Sequence, residues 1–131
     1  MALKEKTSPT VLVADDDRVL SHLVASLLRG KGYKVLTAFD AVQAMMHAMR
    51  PPLVNAIVLD INMPGGSGED TLRKLKMSSR TAQVPVIILS GSIDAAGQDR
   101  VKTLGADVVL SKPLVPEELY NALATVGLAT G

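Results

Sequence analysis

Apolar residues fall along the chain in two alternating patterns. Short runs rich in branched side chains occupy 11–14, 33–38, 57–59, 86–89 and 107–110. Runs of that length between turn residues read as buried strands of a parallel sheet. Between them the apolar residues are spaced three and four apart, as on one side of a helix. Val19, Leu20, Leu23, Val24, Leu27 and Leu28 form such a stripe over 18–31, and Gly30 and Gly32 stop it. Asp40 caps a second helix to about 49, with Gln43 placed for a capping box and Pro51-Pro52 ending it. Ser67 and Asp70 cap a third, which carries Leu72, Leu75 and Met77. A weak helix over 94–104 contains Gly97, at a cost of roughly 1 kcal/mol against alanine. Pro116, with Glu117 and Glu118 at the positive end of the dipole, opens the last helix, and Leu119, Leu123 and Val126 are its buried side. Strand then helix, five times without a sequence repeat, predicts one α/β domain: a parallel sheet covered by helices on both faces.

Composition narrows the function classes. The chain has 131 residues, 47% of them apolar, enough for a core and too apolar for disorder. A net charge of +1 gives no electrostatic case for nucleic acid or an anionic membrane. One phenylalanine, two tyrosines and no tryptophan leave no stacking platform for single strands. No apolar run approaches the ~18 residues of a bilayer span, and the polar start lacks the core of a signal peptide. Cysteine is absent, which removes disulfide and thiol chemistry and fits a cytoplasmic protein.

The residues that follow each apolar run carry the chemistry. The first strand leads into Asp15 and Asp16, the third ends on Asp60, the fourth on Ser90, and the fifth is followed by Lys112. In a parallel sheet these all fall on the carboxyl edge, where open α/β folds bind ligands. An acid there can be a metal ligand, a base or a nucleophile. Three carboxylates together need a cation, and oxygen ligands favour magnesium or manganese. A lysine and a hydroxyl beside it could hold phosphoryl oxygens, and a carboxylate can attack phosphorus.

With Asp15-Asp16, Leu59-Asp60-Ile61-Asn62-Met63-Pro64, Gly68, Ile88-Leu89-Ser90-Gly91 and Ser111-Lys112-Pro113 in this order and spacing, the chain resembles the receiver domain of bacterial response regulators, of the chemotaxis-regulator kind. The match covers about 10–126, with 1–9 as a lead-in and 127–131 as a tail. The resemblance implies a flavodoxin-like (βα)5 doubly wound sheet of order 2-1-3-4-5. It implies that Asp60 takes a phosphoryl group from a histidine kinase or phosphotransfer protein. Asp16 and Asp60 would hold magnesium by side chain, Asp15 mainly through water, and Asn62 by its main-chain carbonyl. Ser90 would switch inward onto one phosphoryl oxygen and Lys112 would pair with another, with a cis Lys112-Pro113 bond. Such a domain is not an enzyme acting on free metabolites; it catalyses only its own phosphorylation and dephosphorylation.

Two departures stand out. The loop Pro64-Gly65-Gly66-Ser67-Gly68 lacks the Met-Asp usual before its last glycine, and Val109 stands where the family usually has an aromatic residue. Signalling is therefore expected through 90–104 without a ring switch, with an output partner on the 94–126 face and Tyr120 exposed there. A binding module that keeps the fold and works by constitutive contact is the second function class. A haloacid-dehalogenase-type phosphatase would need D-x-D-x-T, which is missing. Gly65-Gly66 is no phosphate loop, since G-x-x-x-x-G-K-[ST] is absent. Asp17 reads as a solvated helix start, His22 and His47 as surface or boundary residues, and Met45, Met46 and Met49 as core fillers.

Overall fold

Five parallel strands form the central sheet: β1 (Thr10–Ala14), β2 (Lys34–Ala38), β3 (Ala56–Asp60), β6 (Val86–Ser90) and β7 (Val108–Ser111). Their order across the sheet is β2-β1-β3-β6-β7 in a computed structural model that describes residues 8–63 and 66–129. Between β3 and β6 in the chain, β4 (Asn62–Met63) and β5 (Gly66–Ser67) make a separate two-stranded antiparallel hairpin. Counting only the long strands, the order is the expected 2-1-3-4-5. The hairpin was not expected; the sequence shows only a turn there, and Pro64 and Gly65 of that stretch lie outside the described residues.

Side chains alternate between the two faces of a strand, and the core divides accordingly. Leu12, Ile57, Leu59, Val86 and Ile88 face α2 (Ala41–Met49), α3 (Gly68–Met77) and α4 (Ala95–Thr103). Val11, Val13, Val58, Ile87 and Leu89 face α1 (Arg18–Gly30) and α5 (Pro116–Thr125). β3 and β6 are buried along their whole length, as continuous apolar runs between two helical layers must be. Truncating one such leucine or isoleucine to alanine costs ~2–5 kcal/mol.

Four helices start on side-chain caps. Asp17, Asp40, Ser67 and Asp94 accept from the main-chain N–H groups of Leu20, Gln43, Asp70 and Gly97. Asp17 is exposed in this role, as expected. The Gln43 side chain reaches back one residue further than a capping box, accepting from the N–H of Phe39 at 2.9 Å. α5 has no side-chain cap and starts on Pro116.

Several helix faces differ from the sequence reading. Val19 (82% exposed) and Leu23 (50%) lie outside the core, and α1 buries Ser21, Val24, Ala25 and Leu28 instead. The apolar arc of α1 is wider than the sheet can cover, so its leading edge overhangs into solvent. α2 packs through Ala41, Ala44 and Ala48; small residues set it close to the sheet, which turns Met46 outward (56% exposed) and leaves Met45 and Met49 at the boundary. Met77, on the last turn of α3, is 78% exposed. Tyr120 is half-buried, with Lys31 Nζ 4.7 Å from its ring centre. At the end of α5, Leu128 joins the second core cluster and its carbonyl accepts from the Tyr33 hydroxyl.

Candidate functional site

Four of the five strands deliver polar groups to the same place at the carboxyl edge. β1 runs into Asp15 and Asp16, β3 ends on Asp60, β6 on Ser90, and Lys112 follows β7. β1 and β6 flank β3. Asp60 therefore emerges between neighbours on both sides, and it is buried, 3% exposed, as is Asp15 at 2%. Asp16 is exposed. One carboxylate oxygen from each of the three acids lies within 4.8 Å of the others.

Lys112 is the cation placed against them. Its Nζ is 3.0 Å from Asp15 Oδ2 and 3.6 Å from Asp60 Oδ1. Lys112 is carried there by its main chain, whose N–H donates to the Ser90 carbonyl at 2.7 Å; its bond to Pro113 is cis, as the resemblance implied. Burial alone would lower the pKa of the ammonium; its contact with Asp15 and the charges of Asp15 and Asp60 outweigh that and raise it. For Asp60 the balance runs the other way. Removal from water pushes its carboxyl up to about 6 from 3.8, with help from the charges of Asp15 and Asp16 and against the Asn62 N–H and Lys112.

Main-chain donors orient the acids. Asp17 N–H donates to Asp15 Oδ1 at 2.9 Å, and Asn62 N–H to Asp60 Oδ1 at 3.2 Å. The other oxygen of Asp15, Oδ2, is buried without a hydrogen bond; Lys112 touches it outside hydrogen-bond geometry. A buried anionic oxygen with no donor, beside two more carboxylates, suits a small hard cation. Asn62 is exposed at the rim. Ser90 is buried, and its hydroxyl accepts from the Ser92 N–H at 3.3 Å.

One supporting residue escaped the sequence reading. Ser21 is buried on α1 and its hydroxyl donates to the Asp15 carbonyl at 2.9 Å, fixing the acidic turn to the helix behind it. Its place in the middle of the Leu20, Val24, Leu28 stripe was the available signal. Gly68, one of the residues that carry the resemblance, supports the site in a way the sequence did not show. Its N–H donates to the Ile61 carbonyl at 2.8 Å, and a Cβ built on it would stand 2.4 Å from the Ile61 Cα. The loop after Asp60 closes on itself only because residue 68 has no side chain.

The model of the response regulator receiver domain matches residues 11–124. The chain belongs to that family. Among curated relatives, this receiver domain is 40% identical over 118 residues to the transcriptional regulatory protein CpxR of Klebsiella pneumoniae, covering 88% of this chain and 48% of that protein. It is 34% identical over 125 residues to the phosphate regulon transcriptional regulatory protein PhoB of Pseudomonas aeruginosa, covering 93% and 53%. The chain thus spans about half the length of these relatives. Among solved structures it superposes on the chemotaxis response regulator CheY4 of Vibrio cholerae with a TM-score of 0.85 at 30% identity, covering 92% of this chain and 99% of that one. The receiver fold is thus the flavodoxin-like one expected, and the acidic pocket of Asp15, Asp16 and Asp60 fits a phosphoacceptor site. No helix among the described residues is long and apolar enough to cross a membrane.

Proposed function

We propose that this receiver domain accepts a phosphoryl group on Asp60 from the histidine of a kinase or phosphotransfer protein and passes the signal on by changed protein contacts. The observation that carries the reading is the burial of Asp60 among Asp15, Asp16 and Lys112 at the carboxyl edge. In the transfer, a carboxylate oxygen of Asp60 forms the new P–O bond as the P–N bond breaks, and the electron pair returns to the imidazole nitrogen. Lys112 sits within reach of both Asp60 and an incoming phosphoryl oxygen, so it neutralises equatorial charge. Ser90 gives up its acceptor role toward the Ser92 N–H and donates its proton to a second oxygen. Asp16, Asp60 and the Asn62 carbonyl, with Asp15 through water, would hold magnesium or manganese, and the ion would supply the remaining positive charge. Hydrolysis by a water in line with the Asp60–phosphorus bond reverses the modification, and the domain converts no free metabolite.

Intact mass after treatment with acetyl phosphate and magnesium tests the reading. One added phosphoryl group is expected, and none if the domain works by constitutive contact alone. For the metal, Asp16→Ala removes the exposed ligand without disturbing the buried pair. Magnesium affinity in a fluorescence or calorimetric titration should fall at least tenfold, and an unchanged affinity would move the site elsewhere.

The response is expected in Ser90 to Leu104. Moving Ser90 drags Gly91 and Ser92, and α4 behind them buries only Gly97 and Val101. Such lightly anchored elements are the ones that shift in switches. Val109 is half-buried against the α4 side of the core and is stiff at χ1, so it acts by packing and not as a swinging side chain. Hydrogen exchange with and without beryllofluoride should change over 90–104, and Val109→Ala should still respond. Changes confined to 61–68 would place the switch in the hairpin instead.

A further inference from the structure

On the β2 flank of α1, the helix and β2 enclose a cleft of about 320 Å³. Arg18, Ser21, His22, Ala25 and Arg29 line its helix side and Thr37 and Phe39 its strand side, with no carboxylate among the described lining residues. The Arg18 guanidinium carbon lies over the Phe39 ring, 4.0 Å from its centre. Arg29 Nη2 reaches the Val35 carbonyl at 3.4 Å, a long contact. Neither arginine makes an ion pair among the described residues.

β2 is an edge strand. Lys34 N–H donates to the Pro9 carbonyl and Asp15 N–H to the Ala38 carbonyl. Given the parallel register of β1 and β2, alternation turns the main-chain groups of Val35 and Thr37 away from β1, toward the open side. The cleft therefore combines strand groups that β1 leaves unpaired with two arginines, one of which covers the Val35 carbonyl.

We infer that this cleft receives an extended acidic segment of a partner protein, added as a strand beside β2. Arg18 and Arg29 are eleven residues apart, about 16 Å along a helix at 1.5 Å per residue. One small anion cannot touch both, whereas about five residues of strand at 3.3 Å each span that distance. Side chains two apart on a strand share a face at roughly 6.6 Å, close to the ~6 Å rise from Arg18 to His22. Acidic residues at alternate positions would meet the basic row while the backbone pairs with Val35 and Thr37. The Arg29 contact that covers the Val35 carbonyl is weak enough to yield to a carboxylate.

The test is a titration of the whole chain with acetylated and amidated Glu-Thr-Glu-Thr-Glu-Thr, followed by amide NMR. Saturable shifts are expected at 18–29 and 35–39, with affinity falling as salt rises. The Arg18→Gln/Arg29→Gln double variant, with an otherwise unchanged spectrum, should bind at least tenfold more weakly. The inference is overturned if the Lys-for-Glu peptide binds as well, if the shifts lie elsewhere or are absent, or if the double variant binds normally. An oligothymidylate of equal charge giving the same shifts at equal affinity would also overturn it, by making the cleft a general polyanion site.

Discussion

Asp60→Asn should gain no phosphoryl group from acetyl phosphate and magnesium under conditions that modify the unaltered protein fully. The amide is nearly the same size, so the fold persists, but it lacks the anionic oxygen that attacks phosphorus. Phosphate mapped to another residue of the unaltered protein would remove Asp60 from its role. The same variant carries a second, independent expectation. In chelator, Asp60 holds its proton up to about pH 6 in the folded state and only to 3.8 in the open chain. Between those values the folded state binds more protons than the unfolded one, so stability falls as pH rises. At about 1.4 kcal/mol per unit, the loss is about 3 kcal/mol, flat below pH 3.8 and complete above about 6. The amide of the variant does not titrate and contributes no such slope. Urea unfolding should show the variant matching the unaltered protein at pH 4 and exceeding it at pH 7.5, by somewhat less than the full amount because Lys112 loses a partner. Magnesium should narrow the gap at pH 7.5. A gap that is largest at pH 4 would refute this electrostatic account.

The residues that reach the pocket were legible because each follows a short apolar strand, and a parallel sheet puts all such positions on one edge. Burial on two faces makes β3 and β6 unbroken apolar runs, a signal without ambiguity. Helix faces were harder to read. The sequence shows how wide an apolar arc is but not how much of it the neighbours cover, so Val19 and Leu23 read as core although they stand outside it. In α2 the large methionines drew the eye, while alanines made the contact because the helix lies close to the sheet. The hairpin of Asn62–Met63 with Gly66–Ser67 was invisible for another reason: two-residue strands have no period to detect.

Gly68→Ala should destabilise the protein by about 3 kcal/mol and weaken magnesium binding at least tenfold. Helix propensity alone predicts the opposite sign, since residue 68 opens α3 and alanine is favoured over glycine by ~1 kcal/mol inside a helix. Space decides against propensity. The new Cβ would meet Ile61 Cα at 2.4 Å, its carbonyl oxygen at 2.5 Å and its carbonyl carbon at 2.6 Å. These are main-chain atoms, so no side chain can rotate aside, and the strands around the loop must separate. Doing so breaks the Gly68 N–H bond to Ile61 and loosens the Asn62 and Ser67 pairing. Overpacking of this kind costs ~1–3 kcal/mol, and the lost hydrogen bond adds about 1. The metal effect follows from adjacency: Ile61 lies between Asp60 and Asn62, and both of those are proposed ligands. Urea midpoints and a magnesium titration of the folded variant measure the two effects separately. A variant as stable as the parent, with normal magnesium affinity, would mean that the loop after Asp60 can open without disturbing the pocket.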